Sequence, residues 1–133
     1  MNAYYIAGLF DGEGSLQVRI RTDKRYKTGF QVQLRADITQ KNRKVLEMLC
    51  QHLKMGIIIF DSHDKTHQLH IYRIDDLERF VELIRDKVII KKNQLMKFAQ
   101  CIELIKMKKH LTSAGIDKIR NLWFAPETVA KPR

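Results

Sequence analysis

The sequence predicts an α+β fold: four antiparallel strands in one sheet, covered by helices on one face. Three observations predict it. Two stretches of the 133-residue chain fold back on themselves around polar turns, and the longer alternates cleanly between apolar and polar residues. Apolar residues recur at helical spacing before, between and after those stretches. The alternation leaves one sheet face apolar and the other polar, so only one side needs cover.

The first element carries the most information. Residues 6–15 read Ile-Ala-Gly-Leu-Phe-Asp-Gly-Glu-Gly-Ser. On a helix turning about 100° per residue, Ile6, Leu9 and Phe10 share one face, and Tyr4, Gly8, Asp11 and Gly12 share the other. One face suits the chain's own core. The other carries Gly-x-x-x-Gly, which lets a second backbone approach closely. Each glycine inside a helix costs roughly 1 kcal/mol relative to Ala. Asp11 and Glu13 sit where the helix should end, at the negative end of its dipole, which disfavours carboxylates. A segment that breaks two helix rules within a few residues is a site candidate.

Leu16, Val18 and Ile20 then alternate with Gln17, Arg19 and Arg21. A turn over residues 23–29 carries Lys24, Arg25 and Lys27. Alternation resumes with Val32, Leu34, Ala36 and Ile38 against Gln31, Gln33, Arg35 and Asp37. This predicts a long hairpin. Val45, Leu46, Leu49 and Leu53 predict a helix capped by Asn42, with Gly56 just past its end. Residues 57–61 and 68–73 predict the second hairpin. Asp75 and Glu78 have capping-box spacing and open a helix bearing Leu77, Phe80, Val81 and Ile84. Asn93 is the expected cap of a longer helix with Leu95, Phe98, Ala99, Ile102 and Ile105. Thr112 or Ser113 caps a last one with Ile116, Ile119 and Trp123. Residues 1–124 are expected to form one domain. Residues 125–133, polar and holding both prolines, are expected to form an extended arm.

Lys and Arg number 25 against 15 Asp and Glu, a net charge of +10. That excess favours an anionic partner, with nucleic acid ahead of membrane. No apolar run is long enough to span a bilayer, and no signal peptide is visible. Cys50 and Cys101 lie far apart in helical patterns and read as buried reduced thiols, so an intracellular, reducing compartment is expected. An organelle and a prokaryotic or archaeal cytoplasm are equally compatible. His63, His67 and His70 bracket a hairpin turn and read as solvated or DNA-facing side chains rather than a zinc site. Met55, Met96 and Met107 read as core filler. The chain has no phosphate-binding loop of the G-x-x-x-x-G-K-[ST] type and no nucleophile elbow.

The outer sheet face is expected to carry Gln17, Arg19, Arg21, Gln31, Gln33, Arg35, Asp37, Gln68, His70 and Tyr72. The third strand adds Ile57, Ile59 and Asp61. Arg suits guanine O6 and N7, and Gln suits adenine, so this face is suited to base edges in a major groove. Lys24, Arg25 and Lys27 in the turn suit phosphates, which position a protein without reading sequence.

The segment over residues 6–15 resembles the signature of the LAGLIDADG homing endonucleases, with Gly12 where Ala is the usual family letter. The chain carries one copy and so resembles the single-motif branch, whose members work as homodimers. The resemblance implies the family's αββαββα core with a saddle-shaped sheet, followed here by further C-terminal helices. It implies a site-specific, metal-dependent double-strand DNA endonuclease with a long, pseudo-palindromic target, of a kind usually encoded in introns or inteins. Mg²⁺ or Mn²⁺ is the expected cofactor, since hard cations want oxygen ligands. By resemblance Glu13 is the metal-binding acid, and the Gly12 carbonyl stands where a backbone oxygen also ligates. Gln40 resembles the water-positioning Gln, and Lys91 the basic residue near the scissile phosphate, with Lys92 as its alternative. The dimer surface expected of the helix comprises Tyr4, Ala7, Gly8, Asp11 and Gly12. The alternative reading is a non-cleaving scaffold: an RNA-binding intron maturase or a DNA-binding regulator.

Overall fold

The computed structural model describes residues 1–125. In chain order they form α1 (Ala3–Glu13), β1 (Gly14–Thr22), β2 (Phe30–Gln40), α2 (Arg43–Leu53), β3 (Ile57–Asp61) and β4 (Thr66–Ile71). Then follow α3 (Ile74–Ile84), α4 (Lys92–Lys106), a 3-10 turn at Lys109–Leu111, and α5 (Ser113–Trp123). Beyond Ala125, the arm expected over residues 125–133 lies outside the described residues.

The sheet order is β1-β2-β4-β3, antiparallel throughout. Each hairpin pairs with itself, and β2 and β4 join the two at the centre. Only the second half of β2, Ala36 to Gln40, pairs with β4. Its first half therefore has a free edge, and that edge matters for the polar face.

The alternating apolar positions of β1, β2 and β4 face the helices, whereas Ile57, Ile59 and Phe60 of β3 are exposed. Leu16, Val18, Leu34, Ala36, Ile38, Leu69 and Ile71 are buried there with Ile6 and Phe10 of α1, Leu46 and Leu49 of α2, and Leu77, Phe80 and Ile84 of α3. Phe10 meets Phe80 edge to face, ring centroids 5.4 Å apart. Trp123 of α5 meets Phe98 of α4 in the same way at 5.8 Å. The Arg120 guanidinium lies 4.9 Å from the Phe30 ring centroid and ties α5 to the turn end of the first hairpin.

Several terminal signals differ from their sequence expectation. Asn42 caps α2 as predicted, accepting from Lys44 N–H at 2.9 Å. The left-handed residue that ends α2 is Lys54, φ 56°, not Gly56. Gly56 instead immediately precedes β3 at φ 86°, where a Cβ would lie 2.8 Å from the His70 carbonyl oxygen. The α3 cap is Arg73, without a side-chain bond, so Asp75 lies in the first turn beside Asp76 rather than capping. There both acids complement the helix dipole. The fourth strand ends at Ile71, two residues early, and leaves Tyr72 beyond the ladder. Thr112 caps α5, its Oγ1 accepting from Gly115 N–H at 3.0 Å. Met55 is buried, but Met96 and Met107 are exposed, contrary to their expected core role. Among the described residues, no helix is long and apolar enough to cross a membrane.

Candidate active site and nucleic-acid interface

α1 runs into β1 without a loop: Glu13 is the last helical residue and Gly14 the first of the strand. Such a turn leaves no room for a side chain at Gly14. A Cβ there would sit 2.2 Å from Phe10 Cδ1 and 2.6 Å from the Phe10 carbonyl oxygen. Gly14 is therefore required by the chain's own packing. Gly8 and Gly12 are not, because a Cβ at either would meet nothing within 4 Å. Tyr4 and Gly8 are exposed on the same stripe of α1, and so is Gly12. Ala7 departs from the expected dimer surface: it is 1% exposed, packed into the chain's own core with Ile6. At 100° per residue it falls nearer the Phe10 face than the glycine face.

Asp11 also departs from its expected role. Its carboxylate accepts N–H bonds from Ile89 at 2.6 Å and from Lys91 at 3.0 Å. Its carbonyl oxygen accepts from Lys91 Nζ at 2.7 Å. Burial works to raise the Asp11 pKa, but the N–H groups of Ile89, Lys91 and Ile90 and the Lys91 ammonium outweigh it and hold the carboxyl below its ordinary value. The side chain is thus occupied within the chain itself. Asn93, the expected cap of α4, lies in the helix's first turn, and the N–H of the capping residue Lys91 is satisfied by Asp11 instead.

The result is a convergence at the carboxyl end of α1. Glu13 is exposed there, and the Lys91 ammonium is held on the carbonyl two residues before it. Gln40 is the last residue of β2, two beyond the Ile38–Gly14 pair, so it reaches the same end of the sheet. Lys92 opens α4 and is exposed. Among the described residues, no group of three or more His, Cys, Asp or Glu side chains could hold a metal ion. Among the described residues, His63, His67 and His70 are not gathered into a ligand cluster.

The polar face follows the sequence pattern in register. Gln17 pairs with Arg35, Arg19 with Gln33, and Arg21 with Gln31. Asp37 and Ile57 both pair with His70, Ile59 with Gln68, and Asp61 with Thr66. Directly paired residues share a face, so the predicted strand positions lie on one side.

Availability is another matter. Asp37 is 4% and His70 8% exposed, so neither is free to meet a base edge. Asp37 accepts from Arg35 Nε at 2.8 Å and from Gln17 Nε2 at 2.9 Å, and Arg35 Nη2 donates on to Gln17 Oε1 at 3.0 Å. His70 Nε2 pairs with Gln68 Oε1 at 2.8 Å. Polar residues sit beneath polar residues on this face, and period two alone does not distinguish the two layers. Arg19, Arg21 and Gln33 stay exposed. In the turn, Lys24 and Lys27 are exposed, and Arg25 is ion-paired to Asp23 at 2.7 Å. That pairing lowers the Asp23 pKa to about 2.

Where β2 leaves β4, a cleft of about 460 Å³ opens. Arg19, Arg21, Arg35, His70 and Tyr72 line it from the sheet side, with Ile74, Ile105 and His110 opposite. Tyr72 thus reaches the polar face although it lies outside the strand. His110 is the contribution sequence reasoning missed. It comes from a 3-10 turn far along the chain, and no local pattern links it to the sheet.

The fold and site together define one αββαββα unit with an acid-tipped helix and a basic, polar sheet face. The LAGLIDADG endonuclease family model matches residues 6–110, and the chain belongs to that family. It is similar to the probable intron-encoded endonuclease 3 of Neurospora crassa, 28% identical over 127 residues, which are 92% of this chain and 24% of that protein. It is similar in structure to the archaeal intron-encoded homing endonuclease I-Vdi141I complexed with DNA, at 25% identity and TM-score 0.85, over 98% of this chain and 87% of that one. It is also similar to I-SmaMI bound to uncleaved DNA in the presence of calcium ions, at 30% identity and TM-score 0.83, over 92% of this chain and 43% of that one. The chain spans about a quarter of the length of the curated relatives it matches.

Proposed function

We propose that the chain is a site-specific double-strand DNA endonuclease that needs a divalent cation and acts as a pair of units, two copies of this chain joined along α1. The observation that carries this reading is an exposed Glu13 at the end of a helix whose glycines at positions 8 and 12 its own packing does not use, with the Lys91 ammonium held on the Asp11 carbonyl two residues before it. Gly8 and Gly12 weaken α1 by roughly 1 kcal/mol each. An approaching second backbone gives them a purpose, and it brings two copies of Glu13 together.

The donor chemistry fits a hard cation. Glu13 offers an exposed carboxylate and Gly12 a helix-end carbonyl, both oxygen donors. The second copy and the DNA phosphate would complete the shell. A bound Mg²⁺ or Mn²⁺ supplies charge stabilisation and an acidified water. Two adjacent acids repel without it. Lys91 stabilises negative charge on the phosphate, and Gln40 orients the attacking water. Arg19, Arg21 and Gln33 read base edges, while Lys24 and Lys27 hold phosphates. That both structural relatives described above were solved with DNA, one of them with calcium present, supports the choice of substrate and of a divalent ion.

The test is incubation with a randomised duplex library and Mg²⁺, followed by sequencing of the ends. Paired cuts at a defined site are expected, and absent with EDTA. Tight, selective duplex binding without any cut would leave a regulator on the same scaffold. Preference for structured RNA would favour a maturase.

A further inference from the structure

We propose, on the nuclease reading above, that Asp11 is a positioning residue that acts through Lys91. It holds the segment from Ile89 to Lys91 so that the lysine ammonium stands at the carboxyl end of α1 beside Glu13. Four observations carry this. First, the Asp11 carboxylate is bonded to a segment 78 to 80 residues later in the chain. Second, α4 has no side-chain cap from its own flank, and Asp11 Oδ1 supplies the missing acceptor to Lys91 N–H. Third, apolar burial does not place this segment. Ile89 is 84% and Ile90 77% exposed, and the nearest buried anchors are Val88 before it and Leu95 after it. Fourth, the same residue fixes both ends of the lysine, its amide through the carboxylate and its ammonium through the carbonyl.

The residue type follows from the donors. The N–H groups of Ile89 and Lys91 each take one carboxylate oxygen, so both oxygens are used. Asn would keep one acceptor and turn an NH₂ toward an N–H, donor against donor. Glu would reach one carbon too far. The carbonyl that holds Nζ belongs to the last turn of α1, where carbonyls lack helical partners and a cation is favoured. Lys91 therefore offsets the dipole that opposes Glu13, and Asp11 keeps it there. A displacement of about 1 Å at a reacting phosphate can cost about 10²-fold in rate, so the clamp has leverage on chemistry without touching DNA.

The test is a double-mutant cycle on the full chain with Mg²⁺ and the selected target: D11A, D11N, K91M and D11A/K91M. Single-turnover cleavage is measured with DNA affinity and sedimentation. D11A is expected to slow cleavage about 10²-fold, with DNA affinity within about 3-fold and sedimentation mass unchanged. The double variant should be no slower than K91M, because residues acting as one unit are non-additive. Slowing that multiplies across the double variant overturns the proposal. So does loss of dimer mass in D11A, which would place Asp11 in the interface. If D11A fails to fold, D11N decides, with about 10-fold slowing that again vanishes in the K91M background. If the wild type does not cleave, the nuclease reading fails by itself, and amide hydrogen exchange judges the clamp. Ile89 and Lys91 amides should be protected in the wild type and lose protection in D11A; retained protection overturns it.

Discussion

Three acidic residues of one chemical type serve three ends. Glu13 is exposed at a helix tip, Asp11 is spent on backbone N–H groups, and Asp37 lies beneath Arg35 and Gln17. Their substitutions should separate accordingly. Glu13→Gln keeps the shape and removes the charge, so cleavage should fall by about 10²–10³-fold or more while duplex affinity in calcium stays within a few-fold. Loss of binding instead would make Glu13 structural. Asp37→Asn strips the charge that Arg35 and Gln17 are arranged around. It should lower stability by about 1–3 kcal/mol in urea denaturation and loosen base preference in a target selection. Stability unchanged in the variant would mean that the buried carboxylate contributes nothing to folding. His70 has a pH signature. Burial pushes its pKa below the ordinary 6.5; Asp37 pulls it up, and Arg35 and Arg19 push it down. The folded imidazole therefore resists a proton that the unfolded chain accepts. Stability should fall as pH drops below 6.5 and be indifferent above it. His110, lowered by burial, acts in the same direction. Urea melts between pH 7.5 and 5 should show a shallower acid-side loss in His70→Gln; an identical slope would remove His70 from the account.

At the scale of elements, α1 separates two uses of glycine. Gly14 is demanded from inside, by Phe10, and Gly14→Ala should cost about 1–3 kcal/mol through overpacking. Gly8 is demanded only from outside. Gly8→Ala should strengthen the isolated helix by about 0.5–1 kcal/mol, yet weaken self-association. Gly8→Leu should block it. Sedimentation across a dilution series, paired with urea denaturation at low concentration, reads both effects. A Gly8→Leu protein that keeps the wild-type mass would move the interface elsewhere. The elements were largely legible from sequence because period two and period 3.6 each report burial directly, as at Leu16 to Ile20 and Leu46 to Leu53. Their ends were less so. Lys54, Arg73 and Lys91 occupy caps where their side chains give no signal, since their roles depend on backbone conformation or on distant partners.

For the whole molecule, a net charge of +10 and an exposed basic turn predict DNA binding dominated by phosphate contacts. Affinity should fall by about 10³-fold or more between 50 and 200 mM salt if six or more phosphates are engaged. A flat salt dependence, measured by fluorescence anisotropy on a fixed duplex, would remove the electrostatic basis of the interface.

The one-dimensional pattern by itself determined the four-stranded α+β order, the polar side of the sheet, the acid-tipped glycine helix and the family resemblance. Each of these is a matter of local periodicity or a short contiguous string. Only the tertiary structure decided that Asp11 reaches Ile89 and Lys91, that Asp37 and His70 are covered, and that His110 closes the cleft. Those facts join residues tens of positions apart or depend on which polar groups stack over others. Contacts of that kind arise from closure of the chain on itself and leave no trace in sequence spacing.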